Sequence, residues 1–218
     1  MAKIYWAGQS CFQIEVSNSR DHSAEIVIDP FDEDTGIKLP NLSADILLVT
    51  HDHHDHGNIK GVKGEPFVVQ GPGEYEVKGV FIKGIPSFHD DVNGKEKGKN
   101  TIYVIEAEDL KFCHLGDLGQ KILTDEQLEK IDVVDVLMIP VGGEYTIDSS
   151  AAQKIISQIE PRIVIPMHYA LPKLKMELDD LAKFLKTMGK NSITPQDKLT
   201  VKASAMPKEG MEIVVLEP

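Results

Sequence analysis

Four potential metal ligands are crowded into six residues, directly after a short apolar stretch. Residues 45–50 read as a strand buried on both faces, and the chain continues as HDHHDHG over residues 51–57. The spacing H-x-H-x-D-H is set by His51, His53, Asp55 and His56. Imidazole nitrogens and a carboxylate oxygen are ligand types that zinc and neighbouring first-row metals favour. The string therefore predicts a metal site at the exposed end of a buried strand.

Four ligands from one loop cannot close two metal sites, so a second site needs ligands from elsewhere. Three later residues also lie just past an apolar, strand-like run: His89, Asp117 and His168. Each alone is weak support, since a lone histidine after a strand is more often an ordinary hydrogen-bonded residue. With the first string they complete a set of seven candidate ligands.

The 218 residues are ample for a buried core, and we expect one domain over residues 1–218. The first half is predicted to be rich in strands, with a polar turn over residues 17–23. The predicted strands cover residues 3–7, 11–16, 25–28, 45–50, 66–70, 80–85, 101–106 and 111–115. Three more are predicted at residues 162–166, 199–202 and 211–216.

Helices are predicted in the second half of the chain. Thr124 and Gln127 form a capping box, and Asp148 or Ser149 caps a helix that runs to residue 159. A third helix is predicted over residues 172–188 from an apolar stripe at helical spacing. The stripe consists of Leu174, Leu178, Leu181, Leu185 and Met188.

The charge balance bears on the class of partner. There are 23 Lys and Arg against 35 Asp and Glu, a formal net charge of −12, which argues against a nucleic-acid partner. No secretory signal and no apolar run of membrane-spanning length is visible. Cys11 and Cys113 lie in apolar settings that predict two reduced, buried thiols. A cytoplasmic protein without membrane contact is expected.

The order of the candidate ligands resembles that of the metallo-β-lactamase fold superfamily. Other similar segments are residues 8–15, 27–30, 99–101, 114–119, 141–146 and 165–169. Over about residues 3–190 the chain resembles a small bacterial and archaeal subgroup of predicted metal-dependent hydrolases, related to ascorbate-6-phosphate lactonase. This resemblance implies an α/β fold, the four-layer αβ/βα sandwich, with metals at the edge where strand ends meet.

The resemblance also implies how the ligands are shared between two divalent ions, with zinc expected first and manganese second. His51, His53 and His89 would bind one ion, Asp55, His56 and His168 the other, and Asp117 would bridge both. Two ions roughly 3.5–4 Å apart lower the pKa of a shared water and so provide a hydroxide nucleophile. We predict that Asp55 both holds a metal and orients this hydroxide.

The leading hypothesis is a hydrolase that acts on a small-molecule lactone, ester or phosphoester. In the family, flavin- and iron-dependent redox members carry Glu at the position of His53, and β-lactamases commonly carry Cys at that of Asp117; neither activity is favoured. Two alternatives remain: a nucleic-acid phosphodiesterase, and a metal-stabilised metabolite-binding protein without turnover. Homo-oligomerisation stays open.

Several other residues are candidates for the surroundings of the metals. His114 is predicted as a catalytic neighbour or as a residue that supports a ligand, with a purely structural histidine as the equal alternative. The resemblance places Asp29 beside the cluster, bonded to a ligand imidazole, and Gln9 where relatives often have His. Glu144, Tyr145 and Thr146 either line the substrate pocket or are solvated loop residues. The loops at residues 89–99 and 142–146 are expected to set specificity.

Overall fold

A computed structural model describes residues 1–19 and 22–218, and thirteen strands and three α-helices lie within these ranges. The strands are β1 (Ala2–Gly8), β2 (Cys11–Ser19), β3 (His22–Ile28), β4 (Ile46–Val49), β5 (Phe67–Gln70), β6 (Gly73–Val77), β7 (Val80–Phe88), β8 (Lys99–Ala107), β9 (Leu110–His114), β10 (Val136–Pro140), β11 (Ile163–Met167), β12 (Leu199–Val201) and β13 (Glu212–Ile213). The helices are α1 (Asp125–Ile131), α2 (Ser149–Ile159) and α3 (Leu181–Thr187).

The strands form two mixed sheets. The first has the order β12-β1-β2-β3-β4-β5, and the second has the order β13-β11-β10-β9-β8-β7-β6. β3, β4 and β5 run parallel to one another, and so do β9, β10 and β11. Because parallel strands share one direction, their carboxyl ends meet at the same edge of each sheet. Three of the loops that carry candidate ligands begin at these strand ends, after β4, β9 and β11. The fourth follows β7, which runs in the same direction as β9 because both are antiparallel to β8.

Alternating side chains of the first sheet enter two cores. Ile26, Ile28, Ile46 and Leu48 join the main core with residues of the second sheet. Val27, Leu47 and Val49 point the other way, into a smaller cluster around Phe31 and Leu42. The near-continuous apolar sequence of β4 thus follows from burial on both faces, as predicted.

The sandwich carries few helices. α1 packs on β7, and the three helices contact one another in series beside the second sheet. The outer face of the first sheet is covered by irregular segments with short 3₁₀ turns at Glu33–Thr35 and Ile59–Gly61. The expected two-sheet sandwich is confirmed, with a layer of loops where an α-helical layer was implied.

The third predicted helix is much shorter than expected. α3 covers Leu181–Thr187, so Leu174 and Leu178 lie outside it. The Asp180 side chain accepts a hydrogen bond from the Lys183 N–H and fixes the start of the helix. The preceding segment is held by tertiary backbone hydrogen bonds, from Lys175 N to Thr35 O and from Asp179 N to Gly142 O. These bonds replace the helical ones.

Two strand assignments were also incomplete. β6 was missed, because its side chains alternate only between exposed and half-buried and give no apolar signal. β2 and β3 extend into the predicted turn over residues 17–23, and residues 20–21 of that turn lie outside the described residues.

The capping residues predicted for the first two helices are confirmed. The Thr124 side chain accepts from the Gln127 N–H while the Gln127 side chain accepts from the Thr124 N–H, which completes the capping box. Asp148 caps α2, and Cys11 and Cys113 are free and buried. Within the described ranges, none of the helices combines the length and the apolar character needed to cross a membrane.

Candidate metal centre

Loops after β4, β7, β9 and β11 bring the seven candidate ligands together in two groups. His51, His53 and His89 form the first group, and Asp55, His56, Asp117 and His168 form the second. Within each group, one potential ligand atom from every residue lies within 4.8 Å of the others. The division is the one that the family resemblance implies, with Asp117 placed in the second group.

Asp117 lies between the two groups. Its Oδ2 is 3.1 Å from Nε2 of His56, 3.3 Å from Nε2 of His168 and 3.4 Å from Nε2 of His89. The other oxygen, Oδ1, accepts a hydrogen bond from Ser10 Oγ at 3.2 Å. One carboxylate oxygen therefore faces histidines of both groups, which is the geometry that a bridging ligand needs.

Several imidazole nitrogens in the centre are buried without a hydrogen-bond partner among residues 1–19 and 22–218. They are Nε2 of His51, Nε2 of His56, Nδ1 of His89 and both ring nitrogens of His168. A buried polar atom without a partner is costly, and a native structure normally supplies one. Divalent cations would supply partners for the nitrogens among these that face the centre, Nε2 of His51, His56 and His168, so the residues fit a metal pair.

Asp29 orients two of the histidines, His56 directly and His51 through Thr50. Its carboxylate accepts from Thr50 N at 2.8 Å, from Thr50 Oγ1 at 2.7 Å and from His56 Nδ1 at 2.9 Å. Since the Thr50 hydroxyl donates its hydrogen to Asp29, its oxygen accepts from His51 Nδ1 at 3.0 Å. Both rings then carry hydrogen on Nδ1 and turn Nε2 toward the centre. The expected bond between Asp29 and a ligand imidazole is confirmed.

The carboxylates and histidines of the centre shift one another's pKa. Burial lowers the pKa of His51 to about 2 and also lowers that of His89. Burial would lower the pKa of His56 too, but the Asp117 and Asp29 carboxylates outweigh it and raise this pKa well above its usual value.

The carboxyl groups respond to the same neighbours with the opposite sign. Burial opposes ionisation of Asp117, but His168 and His56 overcome it and hold its pKa well below the usual range. His56, whose Nε2 lies 3.5 Å from Asp55 Oδ2, likewise lowers the pKa of Asp55 against the effect of burial. Both carboxyl groups are therefore ionised near neutral pH and available as ligands.

Glycines allow the ligand-bearing loops to approach one another. A Cβ added at Gly119 would lie 2.3 Å from the carbonyl carbon and oxygen of His89, and one at Gly142 would lie 2.1 Å from the oxygen of His168. At Gly116 the backbone has a positive φ of 56° as well as no room for a Cβ. The Gly-Asp-x-Gly pattern at residues 116–119 thus lets Asp117 and His89 share one small volume.

His168 itself adopts a left-handed backbone conformation, with φ at 52°. Its N–H donates to the carbonyl of Gln9 at 3.1 Å. The Gln9 side chain is buried and its Nε2 donates to Met176 Sδ at 2.9 Å. Gln9 therefore supports the backbone of a candidate ligand.

His114 lies behind Asp117. The Gly116 N–H donates to its Nδ1 at 3.1 Å, and its Nε2 donates to the Ser10 carbonyl at 2.9 Å. The ring is fully buried, and burial lowers its pKa. With both nitrogens bonded to backbone, His114 positions the Gly116 turn and Ser10, which in turn bonds Asp117. Its predicted contact with the reacting atoms stays a prediction.

The loop after His89 is organised by Asp90, which the sequence analysis did not single out. The Asp90 carboxylate accepts four backbone hydrogen bonds, from the N–H groups of Val92, Gly94, Glu96 and Lys97. These donors outweigh burial and lower its pKa to about 2. The signal available in the sequence was an Asp followed by the turn-forming pair Asn93-Gly94.

The same loop is joined to the segment that follows β10. Lys97 Nζ donates to the carbonyls of Glu144 and Tyr145 at 2.8 and 3.0 Å. Glu144, Tyr145 and Thr146 line a cavity of about 260 Å³ together with His89. The expected pocket-lining segment therefore lies beside a candidate ligand.

Three supporting residues were not identified as such from the sequence: Ser10, Thr50 and Asn100. Asn100 Oδ1 accepts from the Asp117 N–H at 3.1 Å, and its Nδ2 donates to the Leu115 carbonyl at 2.8 Å. Their contacts join residues far apart in the chain, so no local pattern indicates them.

Comparison with known proteins gives the chain a family. Residues 3–168 match the β-lactamase superfamily domain. A UPF0173 metal-dependent hydrolase of Thermococcus onnurineus is 31% identical over 198 residues, which cover 78% of this chain and 85% of the relative. One from Thermoplasma volcanium is 30% identical, over 77% of this chain and 83% of the relative.

Solved structures agree with the fold. A candidate zinc-dependent hydrolase of the metallo-β-lactamase superfamily from Thermotoga maritima has a TM-score of 0.79 and 38% identity, with 99% of both chains covered. The metallo hydrolase Igni18 from Ignicoccus hospitalis, at 21% identity, shares the fold with a TM-score of 0.65, over 92% of this chain and 99% of Igni18. The chain therefore belongs to the β-lactamase superfamily and, within it, to the UPF0173 metal-dependent hydrolases.

Proposed function

We propose that the protein hydrolyses a small-molecule ester, lactone or phosphoester at a pair of zinc ions held by the two ligand groups. The observation that carries the proposal is the convergence of seven ligands around Asp117 Oδ2, with buried imidazole nitrogens that have no partner within the described ranges. When bound, two such ions supply an activated water as nucleophile and polarise the bond to be cleaved. The histidine-rich ligand set supports zinc, and manganese is the second choice.

The chain's own residues have separate tasks in this reaction. Asp29 and Thr50 hold Nδ1 of His56 and His51, so that both Nε2 atoms stay aimed at the centre. Asp55 is ionised, because His56 lowers its pKa against the effect of burial. Its carboxylate would then be able to accept a hydrogen bond from the attacking water. Ser10 donates to Asp117 and keeps the bridging carboxylate from rotating.

The net charge of −12 supports a small substrate over a nucleic acid, whose phosphates an acidic surface repels. The loops around residues 89–98 and 143–146, which meet at Lys97, support selection of the substrate by a confined pocket.

The test replaces the bridging carboxylate. We expect Asp117→Ala to lower kcat/KM on the order of a thousandfold or more. Without the bridging carboxylate, the metal pair that activates the nucleophile and stabilises the developing negative charge would no longer be held together. The measurement is hydrolysis of lactones, p-nitrophenyl esters, bis(p-nitrophenyl) phosphate and a short RNA, with zinc or manganese supplied. Asp34→Ala, at an exposed carboxylate outside the centre, is the matched control.

Two results would contradict the proposal. Full turnover by the Asp117→Ala variant would reject the bridging role. RNA cleavage faster than that of every small substrate would favour a nucleic-acid phosphodiesterase instead.

A further inference from the structure

A second cavity, of about 520 Å³, opens beside the first ligand group at the ends of β4 and β5. This volume is within the range of small-molecule pockets. His51 and the neighbouring Thr50 form part of its wall, and the opposite wall comes from β7 and the start of β8. We call it the apolar cavity, because Pro72, Pro86 and Phe88 supply much of its lining.

The walls of the apolar cavity are fixed by buried contacts. The Tyr103 hydroxyl donates to the Val49 carbonyl at 2.9 Å and accepts from the Gly71 N–H at 3.0 Å, so the turn after β5 is tied to the end of β4. The same turn packs on β7, since a Cβ at Gly84 would lie 2.7 Å from the Gly71 oxygen. A cavity with such walls is preformed, which reduces the entropic cost of filling it.

The apolar cavity adjoins the metal centre through two residues of its wall. His51 belongs to the first ligand group, and Asn100 accepts the hydrogen bond from the Asp117 N–H. The cavity thus begins on the far side of the His51 ring, within reach of a substituent on a molecule held at the centre.

The lining offers little to a charged or strongly polar group. Asn100 Nδ2 already donates to Ser87 Oγ at 2.7 Å, so these two polar wall groups are engaged with each other. The charged lining residues are Asp52 and Lys99, and both are exposed. Their opposite charges leave no net attraction for an ion.

We propose that the apolar cavity binds an uncharged alkyl or ring group of the substrate while the bond to be cleaved lies at the metal centre. This inference rests on the proposed function and narrows it to esters or lactones with an apolar substituent. The free energy gained by burying the substituent would select the substrate.

The test compares p-nitrophenyl esters of increasing chain length, from acetate to octanoate, with the zinc-loaded protein. We expect kcat/KM to rise about fourfold for each of the first methylenes buried, which is the factor that 0.8 kcal/mol per CH₂ gives. Phe88→Ala removes a wall and Gln70→Trp fills the cavity. Each should lower the octanoate-to-acetate ratio of kcat/KM on the order of tenfold.

Phe81→Ala is the matched control, because it makes the same change on the same strand at a side chain that is 53% exposed and outside the cavity. It should leave the ratio unchanged. Using the ratio removes any effect that a variant has on metal content, since both substrates are affected equally.

A binding measurement separates this inference from the proposed function. In metal-free protein, n-octanol should shift the methyl resonance of Thr101 and the ring resonances of Phe88, which line the cavity, and not the methyl resonances of the distant Val133. The cavity proposal would be overturned, and the hydrolase proposal left intact, if kcat/KM did not depend on chain length and the three variants had the same octanoate-to-acetate ratio. Shifts at Thr101 and Phe88 without hydrolysis of any ester, lactone or phosphoester would support the cavity and overturn the hydrolase proposal.

Discussion

Each histidine ring of the centre has an inner nitrogen, which faces the centre, and an outer nitrogen, which faces away. The hydrogen bond made by the outer nitrogen fixes the direction of the inner one. In His51 and His56 this outer nitrogen bonds Thr50 and Asp29, and these two residues bond each other. Asp29 is fully buried and holds a positive φ of 48°. A strained, buried carboxylate of this kind is retained where several partners depend on it.

Asp29→Asn should therefore weaken metal binding without removing a ligand. Oδ1 of Asp29 accepts from Thr50 N, and Oδ2 accepts from both Thr50 Oγ1 and His56 Nδ1. An amide has one acceptor oxygen, so in either orientation its NH₂ group faces a donor and at least one of these bonds is lost. We expect the metal dissociation constant to rise about 10–100-fold, as is typical when such a partner is lost. Competition with a metal chelator measures it, and Asp34→Asn at an exposed site is the control. An unchanged constant in Asp29→Asn would show that the ligands orient themselves.

His114 gives a prediction about pH, because burial lowers its pKa. The folded protein keeps the ring neutral, whereas the unfolded chain binds a proton below pH about 6.5. The contribution to stability is therefore complete above that pH and is lost as the pH falls below it.

His114→Gln removes this titration. Denaturant unfolding of metal-free protein between pH 7.5 and 5.5 should show a slope of stability against pH that is shallower by up to about 1.4 kcal/mol per pH unit. His54→Gln, whose side chain is 66% exposed, is the control. Equal slopes for wild type and His114→Gln would mean that the ring is charged in the folded state.

At the scale of elements, the centre is built by loops at the strand ends, which pack closely on one another at Gly119 and Gly142. β4 and the starts of α1 and α2 could be predicted, because apolar runs and caps act locally. β6 and the segment before α3 could not, since an antiparallel neighbour and hydrogen bonds to Thr35 and Gly142 hold them. The candidate ligands followed from spacing and resemblance, whereas Ser10 and Asn100 depend on contacts that only the folded chain makes.

Gly119 and Gly142 allow a separate test of each ligand group. In Gly119→Ala the new methyl group meets the His89 backbone, and in Gly142→Ala it meets that of His168. We expect each variant to bind less metal, with His89 displaced in one and His168 in the other. Metal analysis of both variants, with imidazole NMR signals to identify the displaced histidine, is the measurement.

Gly210→Ala serves as the control for these variants, since its φ of 75° makes alanine strained while nothing lies within 4 Å. A similar loss of metal in Gly210→Ala would attribute the effect to general destabilisation. Full metal content in Gly119→Ala and Gly142→Ala would contradict the close packing behind the ligands.

At the scale of the whole molecule, an acidic protein surrounds a centre with a different charge balance. The chain has a formal net charge of −12, but the seven ligands include two carboxylates, Asp55 and Asp117. Two divalent cations would give this ligand set a net positive charge before water and substrate are counted. The loaded centre would therefore stabilise an anionic transition state, although the chain as a whole is acidic and repels polyanions.

The count of metal ions bound per chain tests the central claim most directly. Protein supplied with zinc, freed of excess metal and analysed by inductively coupled plasma mass spectrometry should hold about two equivalents, because the two ligand groups provide two sites. Well under one equivalent would contradict the claim that these seven residues form a dinuclear hydrolytic centre.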